Sequence, residues 1–392
     1  MFIRKIRTTW LIALFVLQVS SLAHAGAFES YQLRPALSFS LPGSNSEGTS
    51  VMDALPDGRL VVVTTRATIF NPGPAELYLE SAVGTRDFRY LGDLPLSTTD
   101  NIWYNPGAFI RVSPSAAGTK IAIGNSSYSV GVFDAASLIV PASAPSIGTA
   151  APVSVTWHQP SSSAFLSSAS WYNDQYLAIA NAPFGGPANL YMLDTQTGNT
   201  KLVVAGPGSG ASSGIAFDAA NNLLYGNGYD YSANGETGEL RRFDPSNWQS
   251  VAFGADPALA FTAGENLGEI LSANSLAFDD EGNLLIGGGD SFGSDPTKKN
   301  FFAIADLLPD GTVGTIRQFD PDSGYNANSY SLTLNRATGE ILAFDPFGSN
   351  PSQVFVVTIP EPTTTVLVLC AAAGLLIGKR RSLASVRRSQ RS

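Results

Sequence analysis

Two segments decide the fold: SGIAFDAANNLLY, from Ser213 to Tyr225, and NSLAFDDEGNLLI, from Asn274 to Ile286. Each is a short apolar strand, a turn of Asp, Asn, Ala or Gly, and a second apolar strand, and the two are near-duplicates. Asp and Asn at such turns cap local backbone N–H groups, and Gly or Asn supplies a positive φ. Looser copies run from Tyr330 to Leu342 and from Val51 to Val62. Two more join Phe109–Val112 to Gly118–Ile123 and Ala169–Trp171 to Gln175–Ile179. With Ala54, Val112, Trp171, Phe217, Phe278 and Leu334 taken as equivalent markers, the phrase recurs at intervals of 46 to 61 residues. Repeats of this length, built from short strands and tight turns, indicate a β-propeller.

A second phrase falls between the markers, as in Val130–Asp134, Leu190–Asp194, Glu239–Asp244 and Phe301–Asp306. Two phrases per period give four strands per blade. The last period, Tyr330 to Thr358, is too short for a full blade, whereas Tyr31 to Leu41 carries an alternating strand with no blade of its own. The expectation is that this N-terminal strand completes the sixth blade and removes an exposed sheet edge. The fold class is therefore all-β, a six-bladed β-propeller spanning residues 26–358. Seven blades is the alternative, because Ala135 to Phe165 is long and rich in Ser, Pro and Ala, and a two-sheet sandwich is a further one. There are no Trp-Asp endings of the WD40 type and no paired kelch glycines.

Composition excludes several chemistries. The chain has 392 residues, 14% of them charged and 44% hydrophobic, with two His and one Cys. Residues 1–25 read as a secretory signal peptide: a basic start at Arg4, Lys5 and Arg7, an apolar run from Trp10 to Val19, and Ala23-His24-Ala25 before the cleavage point. Signal peptidase is thus an expected partner, with an uncleaved anchor as the alternative. His24 belongs to that segment and Cys370 to a terminal apolar one, so the body keeps His158 alone and no thiol. Disulfide frameworks, cysteine nucleophiles, cysteine-ligated zinc and multi-histidine metal sites all fall. Without the signal and the basic tail, 14 of the 23 basic residues face 32 acidic ones, a net charge near −18. Such a body repels phosphate backbones, so no nucleic acid is expected as a partner. Gly206 to Gly210 is Gly-rich but lacks the Lys-Ser/Thr ending of a phosphate loop.

At the C-terminal end, Pro360-Glu361-Pro362 precedes an apolar stretch from Val366 to Ile377, then Lys379-Arg380-Arg381. The stretch can span a bilayer only marginally, helped by snorkelling of the basic residues, and their position places the tail in the cytoplasm and the body outside. This tripartite end resembles the PEP-CTERM sorting domain of Gram-negative bacteria. The resemblance covers residues 359–381; a basic cytoplasmic tail, 382–392, extends beyond the usual stop with Arg387, Arg388 and Arg391. It implies a single transmembrane sorting helix, recognition by an exosortase through Pro360, Glu361 and Pro362, and transient anchoring in the inner membrane. Delivery to the cell envelope, outer surface or extracellular matrix would follow, and such proteins often accompany exopolysaccharide production. A plain C-terminal anchor accommodates the same residues.

In a propeller the loops between the second and third strands, and the connections between blades, share one face. Here they carry Trp103, Tyr104, Tyr229, Asp230, Asn274, Asp290, Phe292 and Asn328. Aromatic platforms with neighbouring amides and carboxylates suit neutral sugars, which makes an extracellular polysaccharide or an envelope protein the expected ligand. Oxygen ligands such as Asp290, Asn274 and Asn328 are also the kind Ca²⁺ takes, and turn chemistry alone accounts for the same residue types. The functional expectation is a binding module without a cofactor and without catalysis. Its rival is a Ca²⁺-dependent propeller hydrolase of the lactonase or esterase kind, with His158 a candidate general base.

Overall fold

The computed structural model describes residues 31–37, 41, 50–65, 75–95, 109–115, 118–124, 129–138, 146, 148–160, 166–181, 187–206, 214–226, 238–270, 273–288, 301–308, 311–319, 331–344 and 354–358. The chain divides into two units. Leu33–Val357 carries the sheets described below, and of the unit formed by Met1–Gln32 and Thr358–Ser392 only Tyr31, Gln32 and Thr358 are described. Among the described residues no helix is long and apolar enough to cross a membrane. The signal segment and the sorting residues Pro360, Glu361, Pro362, Lys379, Arg380 and Arg381 lie outside them.

Six antiparallel sheets follow the six phrases. Blade 1 is β2 (Ser50–Ala54), β3 (Leu60–Thr65), β4 (Ala75–Glu80) and β5 (Phe88–Asp93). Blade 2 is β6 (Phe109–Val112), β7 (Lys120–Gly124), β8 (Val130–Asp134) and β9 (Thr156–His158). Blade 3 is β10 (Leu166–Trp171), β11 (Tyr176–Asn181), β12 (Leu190–Asp194) and β13 (Thr200–Ala205). Blade 4 is β14 (Ile215–Phe217), β15 (Leu223–Gly226), β16 (Glu239–Phe243) and β18 (Glu265–Glu269). Blade 5 is β19 (Ala273–Phe278), β20 (Leu284–Gly288), β21 (Phe301–Leu307) and β22 (Val313–Phe319). In blade 6, β23 (Ser331–Asn335), β24 (Glu340–Phe344) and β25 (Val354–Thr358) are completed on the outside by β1 (Gln32–Leu37), as the short last period requires.

The innermost strands touch in sequence, β2 with β6, β6 with β10, β10 with β14, β14 with β19, β19 with β23, and β23 returns to β2. That last contact closes a ring. Apolar side chains fill the spaces between blades: Phe109 and Val130 of blade 2 pack with Leu166, Ala169 and Trp171 of blade 3, and Leu224 and Leu240 of blade 4 with Leu276 and Ile286 of blade 5. Polar bonds seal the joint between the first and last blades, where Thr333 Oγ1 donates to Met52 O at 2.7 Å and Asn335 Nδ2 to Gly58 O at 2.7 Å. Arg86 adds ion pairs with buried Glu80 (3.3 Å) and with Glu340 (2.5 Å).

Among its described residues, the long stretch that prompted the seven-bladed alternative forms no blade of its own. Part of it runs along the outer edge of blade 1, with Asp93 N donating to Thr149 O (2.7 Å) and Ala151 N to Asp93 O (2.8 Å), before the chain returns as β9. The corresponding connection of blade 4 does the same for blade 3. It forms helix α1 (Pro245–Ala252) and then β17 (Leu259–Ala260), which pairs parallel with β13. Each insertion covers an edge strand of the preceding blade, a standard protection against unwanted strand pairing.

Candidate functional site

The repeat phrase places its turns at one end of the ring. The two near-duplicates share three hydrogen bonds in these turns. Asp218 Oδ1 accepts from the N–H groups of Ala220 and Asn222 (both 2.8 Å) and its Oδ2 from Asn222 Nδ2 (2.7 Å). Asp279 Oδ1 accepts from Glu281 N (3.0 Å) and Asn283 N (2.8 Å), and its Oδ2 from Asn283 Nδ2 (2.8 Å). Asn221 at φ 63° and Gly282 at φ 87° take the left-handed position of the two turns. Turn chemistry thus accounts for these acids.

Inside the turns a cavity of about 550 Å³ lies on the propeller axis. Its wall includes Asp53, Arg111, Ser170, Ala216, Ala277 and Thr333, each immediately preceding its repeat marker. Four of these six side chains are small, which leaves the volume open. The other two are an acid and a base on neighbouring blades.

Asp53 is clamped by backbone: Oδ1 accepts from Ala54 N (2.9 Å) and Oδ2 from Val112 N of blade 2 (2.7 Å). Burial pushes its carboxyl above the usual value of 3.8, against the pull of Arg111, the two amide bonds and Thr333. Arg111 is held the same way, Nε donating to Ala169 O of blade 3 and Nη1 to Ile110 O, both at 2.9 Å, while Trp171 Nε1 donates to Arg111 O at 2.8 Å. Burial lowers its pKa below the ordinary guanidinium value and Asp53 opposes the shift. The two groups make no ion pair within contact distance, so each keeps hydrogen-bonding capacity for something else in the cavity.

Aromatic rings and a second cation surround this pair. Trp171, Tyr172, Phe217 and Phe278 line the wall, and Arg336 stands at the rim, its Nη2 donating to Phe278 O at 2.8 Å and its Nη1 paired with Asp280. Burial lowers the Arg336 pKa, opposed by Asp279. A carboxylate, a guanidinium and flat apolar rings together match a small polar molecule with hydroxyl groups and C–H faces. Paired-carboxylate hydrolysis has a weaker basis here. Asp53 is the only acid at the six marker-adjacent positions, and both oxygens of Asp218 at the rim are committed to its turn.

Of the residues expected to bind ligand, most are not among those described. Trp103, Tyr104, Tyr229, Asp230, Asp290, Phe292 and Asn328 lie outside the described residues, and of Asn274 the structure gives its backbone in β19, where the register with β20 shifts. The Ca²⁺ candidates Asp290, Asn274 and Asn328 are in the same position, and among the described residues no group of three or more His, Cys, Asp or Glu is placed to hold a metal. His158 closes β9, away from the axial cavity and against Gly198 in the turn after β12. Burial lowers its pKa from 6.5, with Asp194 opposing. Asp53 and Arg111 were within reach of sequence reasoning. The position before each marker reads Asp, Arg, Ser, Ala, Ala, Thr, and two charges among four small residues at an inner-strand position are the signal.

No family model matches the chain, and no curated protein matches it. Solved structures do. An α-L-arabinanase of Penicillium chrysogenum, complexed with arabinobiose, superposes over 83% of this chain and 98% of its own at 12% identity, with a TM-score of 0.52. The PQQ domain of a pyranose dehydrogenase from Coprinopsis cinerea covers 84% of this chain and 95% of its own at 12% identity, TM-score 0.49. A streptogramin B lyase covers 85% and 99%, also at 12% identity, TM-score 0.44. At such identities the likeness to the arabinanase speaks for architecture alone, and together with the closed ring of inner strands it makes this chain a six-bladed β-propeller.

Proposed function

We propose that the chain is an exported, exosortase-sorted envelope or extracellular-matrix protein whose propeller binds without catalysis, taking a neutral sugar unit of an extracellular polysaccharide into the axial cavity. The observation that carries the reading is that cavity, which brings Asp53 and Arg111 together with Trp171, Tyr172, Phe217 and Phe278 in about 550 Å³. An acid and a guanidinium offer fixed acceptors and donors to hydroxyls, and the rings offer faces to sugar C–H groups. The excess of 32 acidic over 23 basic residues favours an uncharged polymer over a polyanion. The sorting part rests on the residues of the two chain ends. The test is affinity electrophoresis of the purified protein in gels containing neutral extracellular polysaccharides. Retardation by at least one polymer, lost in Arg111→Met, is the expected result; no retardation by any of them overturns the binding reading. In the native host Glu361→Ala should leave the protein membrane-retained with its tail attached, and unchanged processing would favour a plain anchor.

A further inference from the structure

A second concavity of about 430 Å³ lies on the same face, further from the axis. It shares that face because the turn after β10 and the turn after β12 close at the same end of blade 3. Tyr176 and Phe253 form its apolar side, at a ring separation of 4.6 Å, and Asn199, Thr200 and Lys201 its polar side. Phe253 follows helix α1 directly and leaves 43% of its surface in water. The backbone beside it is pinned, since Phe253 N donates to Gln249 O (2.9 Å) and Lys201 Nζ to Gly254 O (2.5 Å).

Aromatic rings join the two cavities. Tyr172 lies 5.9 Å from Phe253 on one side and 5.2 Å from Phe217 on the other, and both Tyr172 and Phe217 line the axial cavity. Gln249 Nε2 donates to the Tyr172 hydroxyl at 3.1 Å and fixes the middle ring. The order Phe217, Tyr172, Phe253, Tyr176 is therefore a continuous strip from the axis outward. The Asn199 amide and the Thr200 hydroxyl have no hydrogen-bond partner among the described residues, so both remain for a ligand.

We infer that this strip is an extended subsite for the same polymer, with one sugar unit in the axial cavity, the second over Tyr172, and only the third and later units over Phe253 and into the groove beside Lys201. The inference rests on the axial cavity being a glycan site, and it specifies an oligomeric neutral ligand rather than a monosaccharide. Stacking on aromatic faces tolerates a run of similar rings, whereas the axial cavity holds one end.

The experiment is isothermal titration of the full-length protein, in detergent, with gluco-, manno- and arabino-oligosaccharides of increasing length, starting from the disaccharides. Affinity should rise with length for at least one series. Phe253→Ala should lower affinity for the longest member about tenfold and leave the disaccharide unchanged, while Phe253→Trp should restore it. Phe253 also packs on Tyr172, Tyr176 and Trp248, so the melting temperature of each variant is measured alongside; Tyr176→Ala serves as an independent check in the same groove. An unchanged length dependence in Phe253→Ala and Tyr176→Ala overturns the extended subsite while leaving the axial site standing. Failure of every oligosaccharide to bind, or binding indifferent to Arg111→Met, overturns both.

Discussion

The two near-identical turns allow one structural effect to be measured twice in the same molecule. Asp218 and Asp279 each accept two backbone N–H bonds and one side-chain amide bond, at 2.7 to 3.0 Å. They differ in exposure: Asp279 and Asn283 are 5% and 8% exposed, whereas Asp218 and Asn222 are only half-buried. Replacing Asp218 by Ala lets water reach the freed donors, so the loss is the net worth of the bonds, about 1.5 kcal/mol. Replacing Asp279 strands donors that water reaches poorly, which adds a desolvation penalty and brings the loss to about 3 kcal/mol. In a chain this long each kcal/mol lowers the melting temperature by about 2 °C. Thermal unfolding followed by circular dichroism should therefore show drops of about 3 °C for Asp218→Ala and about 6 °C for Asp279→Ala. Equal drops, or a larger one for Asp218→Ala, would refute the argument that the burial of Asp279 raises the cost of losing its bonds.

Three further outcomes follow from single sites. His158 has its pKa lowered by burial, so its contribution to stability is complete above about pH 6.5 and is lost as the pH falls below that value; His158→Gln should flatten the denaturation midpoint between pH 6.5 and 5. The lowered pKa of Asp194 acts only below about 3.8, and the raised one of Asp53 has the opposite sign, so the difference between variant and parent isolates the imidazole. Gly58→Ala should cost about 3 kcal/mol in chemical denaturation, since φ is +88° and the new Cβ would stand 2.6 Å from Ala337 Cβ at the closing joint. Asp53→Asn and Arg111→Met should each destabilise by about 2 kcal/mol, and the double variant by clearly less than their sum, because each single change leaves a desolvated charge without its counterpart. Strict additivity would show that the two do not interact.

The ring was legible because its signal is local and repeated. The phrase at Asp218–Asn222 and Asp279–Asn283 records both the strand pairing and the capping in a few adjacent residues, and the missing strand of the last period points to Tyr31–Leu41. The insertions were not legible in the same way. Residues 149–151 look like loop because they form no sheet of their own; they pair with the edge of blade 1, from a distance in sequence that no local pattern encodes. Helix α1 did leave a mark in Asp244-Pro245, an extended residue followed by proline at the first helical position, but it is eight residues long and its aromatic partners come from blades 3 and 4. The cavity depends on which face of each inner strand turns to the axis. The repeat markers all line it, and the charged pair stands one residue before two of them. The composition of the loops, rich in Trp, Tyr, Asn and Asp, drew attention to residues most of which lie outside the described ones.

A propeller built from one phrase gains a site only where the copies differ. Four of the six blades offer Ser, Ala, Ala and Thr to the axis, and none of these brings a charge. Blades 1 and 2 depart from that pattern with Asp53 and Arg111. Burying an acid and a base where small residues serve elsewhere costs stability, and the backbone bonds from Val112 and to Ala169 hold both in place across blade boundaries. Blade 4 departs in another way, through the insertion that carries α1 and Phe253 over to blade 3. The insertion of blade 2 covers an edge in the same manner, yet among the described residues it brings no ring to the turn face. Edge protection therefore explains β17 and the segment around Thr149, but it does not explain why Phe253 stands in water beside Tyr176. Both departures lie on one face, joined by Tyr172, and a ligand longer than one sugar ring is what would use them together.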